Sequence, residues 1–496
     1  MRNILSVILF FVVLCGYGQP ERAEYRVIPL PQKIEEGRGE LVVVRSDLDR
    51  MVKSVVGGKV TKAIEREGYV LTVNKKGIRI EAPDSAGLFY GRQTLMKSLP
   101  LTGDTIVLPF VTITDQPRFH YRGMHLDVCR HFFPVSFVKK YLDIMALHGM
   151  NTFHWHLTDD QGWRIDVPGY PLLKEKAAWR SGTVIGRNSP VYDGVAHGGC
   201  YTKDDLREVV EYARQRHITV IPEIDMPGHM LAALSAYPEL GCTGGPYEVG
   251  RSWGVFDDIL CAGKEETFRF VKAVLDEVMD VFPSEYIHIG GDEAPKVRWE
   301  ACPLCQKRMQ TEWLTTCNQL QGWFAKRVEN YLNSRGKRII GWDEILDCDV
   351  NPSATIMSWR GTEGGLKASA EGHDVIMAPT QYCYFDYYQT KDRVDYTPFV
   401  FNAEVLLSKI YSLDPAPDSL PEYARKHILG AQANLWTEYI AYESVAEYQV
   451  LPRMAALAEV DWCQTSQKDY ADFLKRLDRL QAIYDQKGWQ YCARRE

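Results

Sequence analysis

Two neighbouring carboxylates stand out in the segment "HIGGDEAP", which spans residues 288–295. Asp292 and Glu293 follow an apolar run and two glycines, which places them where a buried strand ends. Two acids this close resist joint ionisation, so one of them can hold a proton near neutral pH. Adjacent residues of a strand point in opposite directions, however, and cannot act as a facing nucleophile and acid. We therefore expect the two carboxylates to have different tasks.

Similar side chains follow the other apolar runs of the chain. They are Asp127, Arg130, His154, His156, Asp159, Asp160, Trp163, Glu223, Asp225, His229, Trp342, Asp343, Glu344, Trp359, Tyr384, Asp386, Trp436 and Glu438. A single acid after a strand is usually a helix cap, but capping does not predict the repeated tryptophans. Indole rings stack on the apolar faces of a sugar, whereas carboxylates and arginine bind its hydroxyls. The set therefore favours glycoside hydrolysis.

The elements that must position these residues alternate between strands and helices. The strand-like segments are "YRGMHLDV", "NTFHWHL", "ITVIPEID", "EYIHIG", "RIIGW", "ATIMSW", "DVIMAP" and "ILGAQANLW". Alternation favours a parallel sheet, and eight repeats favour a closed (β/α)8 TIM barrel, which we assign to residues 118–480. An open doubly wound sheet would need a glycine-rich loop after its first strand, and "DVCRHFFP" is not one. Active sites of such barrels lie at the C-terminal strand ends, where the residues above are expected.

The regions outside the barrel have their own signatures. Residues 23–117 combine strand-like segments such as "YVLTV" and "GIRIEA" with a helical one, which predicts a small α+β domain. Residues 481–496 are assigned to a C-terminal tail. Residues 1–18 have a basic start, a short apolar run and small residues, as a secretory signal does. They predict export, to the periplasm, the outer membrane or the medium. A retained N-terminal anchor and a lipid on Cys15 are the alternatives.

Composition limits the class of partner. With 45% hydrophobic and 25% charged residues the chain is typical of a globular protein, and its net charge of -7 gives no basic surface for nucleic acid. No later segment is apolar enough to span a membrane. We expect a glycan substrate, no cofactor and no metal; the oligomeric state is open.

Twelve cysteines in an exported chain could include disulfides. Cys302 and Cys305, in "CPLC", have the spacing of half a zinc site, but the sequence offers no second such pair. A disulfide or simple thiols are therefore expected there. A disulfide between Cys242 and Cys261 is predicted to staple the loop that these residues flank.

Several motifs resemble those of glycoside hydrolase family 20 and occur in the same order. They are "RGMHLDVCR", "HWHLTDDQGWR", "PEIDMPGH", "HIGGDE", "GWDE", "SW", "YFD" and "LWTE", within a resemblance that covers roughly residues 25–462. It implies a retaining exo-β-N-acetylhexosaminidase that removes terminal N-acetyl-β-glucosamine or galactosamine from glycans. The family is an exception to the two-carboxylate rule: the 2-acetamido oxygen of the substrate is the nucleophile, and an oxazolinium-like intermediate forms.

The resemblance also implies roles for single residues. Glu293 resembles the general acid/base, and Asp292 resembles the residue that holds the acetamido N–H. Tyr384 would donate to the acetamido oxygen. His229 with Asp159 would form a relay to Glu293, with Asp160 as the alternative acid of that relay. The substrate-binding set would be Arg130, Trp342, Trp359, Asp386, Trp436 and Glu438. A charged Asp292 beside a protonated Glu293 is the expected state of the pair.

Four other functions compete with this interpretation. A disaccharide-releasing, lacto-N-biosidase-like enzyme is the nearest, within the same family. A metal-dependent amidohydrolase would use the H-x-H of His154 and His156 with His229 or His288, but it leaves the tryptophans unexplained. A non-catalytic glycan-binding protein would be expected to lack Glu293. A conventional retaining glycosidase would cleave simple glucosides.

Overall fold

The computed structural model describes residues 21–58, 60–348, 350–392 and 403–494. The proposed signal peptide, residues 1–18, lies outside the described residues. A six-stranded sheet comes first along the chain, and a closed barrel follows it. This confirms the predicted fold class, a (β/α)8 barrel preceded by a small α+β domain.

The N-terminal sheet carries one long helix, Ser85–Ser98, on its face. Its strands are Glu21–Arg22, Lys33–Val44, Val52–Val56, Tyr69–Asn74, Gly77–Ala82 and Thr105–Asp115. The Asp84 side chain caps the helix by accepting the Gly87 N–H at 2.8 Å. A Cβ at Gly87 would lie 2.0 Å from the Gly68 carbonyl oxygen, so glycine is needed for the helix to approach the sheet. Neither Glu21–Arg22 nor Val52–Val56 was predicted as a strand.

The barrel consists of eight parallel strands, and the eighth pairs with the first to close it. Numbered as barrel strands 1 to 8 in chain order, they are Tyr121–Asp127, Thr152–His156, Thr219–Glu223, Tyr286–His288, Arg338–Trp342, Thr355–Ser358, Val375–Met377 and Ile428–Ala433. The first strand is buried along its whole length, as expected for a parallel strand with side chains inside the barrel and helices outside.

Helices cover the outside of the barrel and extend beyond it. The α-helices of the described chain are Leu48–Met51, Ser85–Ser98, Val135–His148, Lys203–Arg214, Leu231–Ala236, Glu265–Val281, Val297–Ala301, Pro303–Thr311, Cys317–Ser334, Glu363–Ala370, Thr380–Cys383, Leu407–Tyr411, Glu422–Arg425, Glu443–Val450, Arg453–Trp462 and Tyr470–Lys487. Thr202 caps Lys203–Arg214 with a reciprocal capping box, as its sequence predicts. None of the helices among the described residues has both the length and the apolarity of a membrane span.

The last helix ties the two parts of the molecule together. Tyr470–Lys487 runs across residue 480, where the sequence placed the end of the barrel domain. Arg476 donates from Nη1 to the Val27 carbonyl at 3.1 Å. Arg479 donates from Nε to the Lys97 carbonyl at 2.9 Å. The C-terminal segment therefore helps to dock the N-terminal domain on the barrel.

A buried ion pair also links the two parts. Arg122, on barrel strand 1, donates from Nη2 to Glu67 Oε1 at 2.8 Å and from Nη1 to Glu67 Oε2 at 3.2 Å. The same guanidinium donates to the carbonyls of Gly149 and Phe119 and to the hydroxyl of Tyr90. Burial alone would raise the pKa of Glu67, but Arg122 outweighs it and holds that pKa at about 2.

The cysteines correct one prediction. The predicted Cys242–Cys261 disulfide is absent from the structure, in which both residues are free thiols. The sequence has no second C-x-x-C pair besides Cys302 and Cys305, but the fold brings Cys242 and Cys261 to them, so that all four sulfurs lie together. The cause lies in tertiary structure: Cys242 and Cys261 stand 19 positions apart, so no local spacing marks them as partners of "CPLC".

Candidate active site

A strained turn after barrel strand 4 presents the two neighbouring carboxylates. Gly290 and Gly291 have φ of 68° and 100°, and Glu293 has φ of 42°. A Cβ at Gly290 would lie 1.7 Å from Asp225 Oδ1, so a side chain cannot be accommodated there. The Gly291 N–H donates to the same oxygen at 3.3 Å. The glycines thus allow Asp225 to hold the turn from which Asp292 and Glu293 project.

Asp292 is the more deeply buried of the two acids. Its side chain is 13% exposed, and its Oδ2 lies 3.7 Å from His229 Nε2. Its Oδ1 is buried and accepts no hydrogen bond from the described part of the chain. Burial, together with the negative charges of Glu223 and Glu293, raises the pKa of Asp292 to about 6.

Glu293 lies in a different environment. Its side chain is 41% exposed, and its Oε2 lies 3.6 Å from His229 Nε2. Interaction with His229 lowers the pKa of Glu293. The expected order of the two pKa values is therefore reversed: the pKa of Asp292 is raised and that of Glu293 is lowered. Deep burial raises the pKa of Asp292, which at about 6 still leaves this acid mostly ionised at pH 7, whereas interaction with His229 lowers the pKa of the more exposed Glu293.

The cation beside both acids is His229, which itself has a φ of 54°. Its Nδ1 lies 3.2 Å from Asp159 Oδ1 and 3.1 Å from Asp160 Oδ2. Burial opposes the charged form, but Asp159 and Asp160 outweigh it and raise the pKa of His229 well above its ordinary value. Both members of the acid doublet thus contact the histidine, although the sequence left a choice between them.

Arg130 is fixed before any ligand binds. Its Nη2 lies 2.9 Å from Asp159 Oδ2, and its Nε donates to Gln161 Oε1 at 2.9 Å. The guanidinium carbon lies 5.0 Å above the Trp436 ring, within the range of a cation–π contact. Arg130 therefore links Asp159 to the aromatic wall of the site.

Three tryptophans form that wall, and two of them are anchored by acids. Trp342 donates from Nε1 to Glu223 Oε1 at 2.9 Å, and Trp359 donates from Nε1 to Glu344 Oε2 at 2.8 Å. The ring of Trp359 stacks on Tyr384 with centroids 6.2 Å apart and planes 25° apart. The anchored rings present flat apolar faces in fixed orientations, which suits the face of a sugar ring.

Asp386 and Glu438 bring further carboxylates to the site. Both oxygens of Asp386 and Oε2 of Glu438 are buried without hydrogen-bond partners among the residues that the structure describes. Burial raises the pKa of both carboxyls, and the nearby charge of Glu438 adds to the effect on Asp386. Buried polar atoms normally have partners, so these atoms are suited to a ligand that carries hydroxyl groups.

The site is centred on one cavity of about 320 Å³. The eleven predicted site residues all contribute to it: Arg130, Asp159, His229, Asp292, Glu293, Trp342, Trp359, Tyr384, Asp386, Trp436 and Glu438. Seven further residues that line the cavity were not predicted from the sequence. They are Arg187, Asn188, Trp253, Gly254, Val255, Tyr387 and Tyr439. Most of these stand in long inter-strand loops without hydrophobic periodicity. The arginine and the aromatic residues in those loops are the only sequence features that could have pointed to a role in sugar binding.

A second cavity, of about 400 Å³, adjoins the first. Glu293 and Val255 line both cavities, and Glu344 and Lys296 lie on the far side. Glu293 therefore stands where the two cavities meet, whereas Asp292 lines only the tryptophan-walled one. The different surroundings of the two acids fit different tasks.

The H-x-H motif lies outside the cavity lining. His154 and His156 are fully buried, and both lie against Glu223, with His154 Nε2 at 2.9 Å from Oε2. Glu223 also lies 3.0 Å from His288 Nδ1 and accepts the Trp342 N–H. These histidines support the wall of the cavity from behind. A metal ion held by them would be out of reach of a substrate, which argues against the amidohydrolase alternative.

Comparison with known proteins identifies the same two parts. Residues 119–465 match the model described as glycosyl hydrolase family 20, catalytic domain, and residues 49–116 match the model described as glycosyl hydrolase family 20, domain 2. A beta-hexosaminidase of Porphyromonas gingivalis is 45% identical over 444 residues, which are 88% of this chain and 56% of that protein. A beta-hexosaminidase of Vibrio furnissii is 40% identical over 402 residues, 80% of this chain and 65% of that protein. The chain thus spans only part of these relatives.

A solved structure shows the same fold. The family 20 exo-β-N-acetylglucosaminidase of Vibrio harveyi, crystallised in complex with N-acetylglucosamine, superposes with a TM-score of 0.83 at 31% sequence identity. The match covers 95% of this chain and 79% of that one. The shared architecture therefore includes both the barrel and the N-terminal domain.

Proposed function

The chain belongs to glycosyl hydrolase family 20, and on that basis we propose that it is a retaining exo-β-N-acetylhexosaminidase. It would remove terminal N-acetyl-β-glucosamine or N-acetyl-β-galactosamine residues from the non-reducing ends of glycans. The 2-acetamido group of the substrate would be the nucleophile. No cofactor takes part in this chemistry.

The observation that carries the proposal is the Oδ1 of Asp292, which is buried without a hydrogen-bond partner among the described residues, in a cavity that Tyr384 and four tryptophans also line. This oxygen can accept the N–H of an acetamido group, and the Tyr384 hydroxyl can donate to the carbonyl oxygen of the same group. Two contacts of opposite polarity orient the amide so that its oxygen faces the anomeric carbon.

In the first step the acetamido oxygen bonds to the anomeric carbon, and the bond from that carbon to the leaving oxygen breaks. The amide becomes an oxazolinium cation, whose charge the ionised Asp292 stabilises at close range in a buried site. The leaving oxygen takes a proton from Glu293. The position of Glu293 between the two cavities suits this task, because the leaving group must lie outside the sugar pocket.

The proton on Glu293 depends on the substrate. His229 lowers the pKa of Glu293, whose side chain is 41% exposed. A bound glycan would exclude water from this carboxyl, and desolvation favours the neutral, protonated form. Substrate binding would therefore move the pKa of Glu293 upward, towards the value that a general acid needs.

In the second step water attacks the anomeric carbon, and Glu293, now a carboxylate, accepts a proton from it. The bond between that carbon and the acetamido oxygen breaks, which restores the acetamido group. Two inversions at the same carbon give net retention of configuration. His229, held by Asp159 and Asp160, would stabilise the anionic Glu293 between the two steps.

The small volume of the cavity supports release of one sugar at a time. Its volume of about 320 Å³ is near the small end of ligand sites, which run from roughly 300 to 1,000 Å³. Arg130, Asp386 and Glu438 would bind the hydroxyls of the terminal sugar. This favours exo-cleavage of monosaccharides over the disaccharide-releasing alternative.

The test compares four aryl glycosides with the purified protein. Rapid cleavage of an aryl N-acetyl-β-glucosaminide or galactosaminide, with no cleavage of the matching β-glucoside, would support the proposal. Equal cleavage of the glucoside would show that the enzyme has its own nucleophile. Cleavage of an aryl lacto-N-bioside alone would support the disaccharide-releasing alternative instead.

We also propose that the protein is exported, on the strength of residues 1–18. Fractionation of cells that express the full chain, followed by N-terminal sequencing, tests this. A mature terminus near residue 19 in the periplasmic, outer-membrane or medium fraction is the expected result. An uncleaved chain in the cytosol would contradict it.

A further inference from the structure

Four cysteines from two separate segments form a compact cluster in the barrel domain. Cys242 and Cys261 flank the loop 242–261, and Cys302 and Cys305 belong to the "CPLC" turn. The four sulfur atoms all lie within 4.8 Å of one another. Three of the four residues are buried and Cys242 is half-buried, so the cluster is almost closed to solvent. We call these four residues the cysteine cluster.

The spacing of the sulfurs differs from that of disulfides. The separations are 3.8 Å for Cys242–Cys305, 3.8 Å for Cys261–Cys302 and 3.6 Å for Cys261–Cys305. A disulfide requires about 2.05 Å. Four sulfurs that each lie about 2.3 Å from a central ion form a tetrahedron with edges of about 3.8 Å. The observed separations match that tetrahedral edge.

The backbone around the cluster is built for this close approach. A Cβ at Gly263 would lie 2.3 Å from the carbonyl carbon of Leu304 and 2.5 Å from the amide nitrogen of Cys305, so only glycine fits there. The Cys261 N–H donates to the Leu240 carbonyl at 2.8 Å, which fixes the second end of the loop. Cys302 is the N-cap residue of the helix Pro303–Thr311, so this helix begins at the cluster.

We propose that the cysteine cluster binds one zinc ion as a closed tetrathiolate site. Four soft thiolates in a tetrahedron select zinc, and a site with no open position is structural rather than catalytic. Each thiol releases its proton to solvent on binding, so the reaction involves no redox step. The site is distinct from the sugar cavity, because none of the four cysteines lines that cavity.

The ion would join two segments that the active site needs. The loop 242–261 carries Trp253, Gly254 and Val255 into the cavity wall. The "CPLC" turn follows nine residues after Glu293 and is separated from it by the short helix Val297–Ala301. Zinc would thus hold the loop that closes the cavity against the segment that carries both acids.

The first test is metal analysis of the full chain, purified without added metal or chelator. We expect one zinc per chain by elemental mass spectrometry. Titration with a mercurial reagent should release that zinc as the four cluster thiols are modified, in addition to the other free thiols of the chain. A metal-free protein whose intact mass is 4 Da below that of the fully reduced chain would mean two disulfides, and would overturn the proposal. Metal-free protein in which all of these thiols are free would overturn it equally.

The second test uses variants. The Cys302→Ser/Cys305→Ser variant should lose more than nine-tenths of the zinc, whereas Cys200→Ser should keep it. Cys200 is the matched control because its half-buried thiol lies outside the cluster. Undiminished zinc in the double variant would contradict the assignment. If the double variant does not fold, the mercurial titration of the unaltered protein still decides the question.

Discussion

Two regions of this molecule that contain buried charged groups differ in how completely their polar atoms are paired. At the interface between the N-terminal domain and the barrel, all three nitrogens of the Arg122 guanidinium donate hydrogen bonds. Glu67 accepts two of these bonds and a third from Asn151. Such a network stabilises the fold and leaves nothing for a ligand.

In the sugar cavity the pairing is incomplete. Oxygens of Asp292, Asp386 and Glu438 are buried with no partner in the described ranges. An unpaired buried polar group costs roughly 1–3 kcal/mol, so these atoms lower the stability of the folded protein. The contrast indicates that buried polar atoms without hydrogen-bond partners distinguish this binding site from the structural charge cluster at the interface. Variants in the two regions should therefore affect different observables, activity in one and stability in the other.

The largest effect is expected for Glu293→Gln. The amide keeps the shape of the side chain but cannot donate the proton, so kcat should fall roughly 10³–10⁴-fold. The loss should be greater for a glycan with a poor leaving group than for a nitrophenyl glycoside, whose leaving oxygen needs less protonation. Steady-state kinetics with both substrates measure this. A uniform loss for the two substrates would argue against the role of general acid.

Asp292→Asn should have the next largest effect. It removes the anion that stabilises the oxazolinium cation, and kcat should fall about 10²–10³-fold. The melting temperature should not fall, because the variant replaces a buried carboxylate whose Oδ1 is unpaired. Turnover near that of the unaltered protein would refute the role, and a large drop in melting temperature would show that Asp292 is part of the structural network.

Glu67→Gln is the mirror experiment at the interface. Breaking its pair with Arg122 should lower the free energy of unfolding by roughly 3 kcal/mol and leave kcat unchanged. Folding lowers the pKa of Glu67 from 4.5 to about 2. Its contribution is therefore complete above pH 4.5 and is lost as the pH falls towards 2. Urea unfolding should show a steeper loss of stability on acidification in the unaltered protein than in the variant. A loss of kcat in this variant would contradict the assignment of a purely structural role to the Glu67–Arg122 pair.

His229→Ala is expected to have the smallest effect, about tenfold on kcat/KM at pH 6. The charge of His229 counteracts the burial that raises the pKa of Asp292 to about 6. Without that charge the pKa of Asp292 rises further, and the acid limb of the kcat/KM profile should move to higher pH. The loss should shrink at pH 8. An unchanged pH profile would contradict the relay.

The fold and the eleven lining residues at the strand ends could be predicted because both depend on local patterns. Eight apolar runs, most of them followed by acids or tryptophans, placed Arg130 and Glu438 at one end of a barrel although they stand 308 positions apart. The pKa order of Asp292 and Glu293 could not be predicted in this way. It depends on how deeply each carboxyl is buried and on the cation at residue 229, which are properties of the folded chain.

The cysteine cluster and the loop residues escaped prediction for a related reason. Cys242 and Cys261 lie next to "CPLC" in the folded chain although they are distant from it in sequence, and Trp253 lines the cavity from a loop with no periodic pattern. Local spacing carries information about strands and helices, whereas contacts between loops arise from tertiary structure.

The most direct test of the central claim, that the substrate supplies the nucleophile, is a series of aryl N-acetyl-β-glucosaminides with zero to three fluorines on the acetyl group. Fluorine withdraws electrons from the carbonyl oxygen and weakens it as a nucleophile. We predict a stepwise fall in kcat along the series, with the aryl leaving group held constant. A kcat that does not change with fluorination would contradict the account, because it would mean that the acetamido oxygen does not attack.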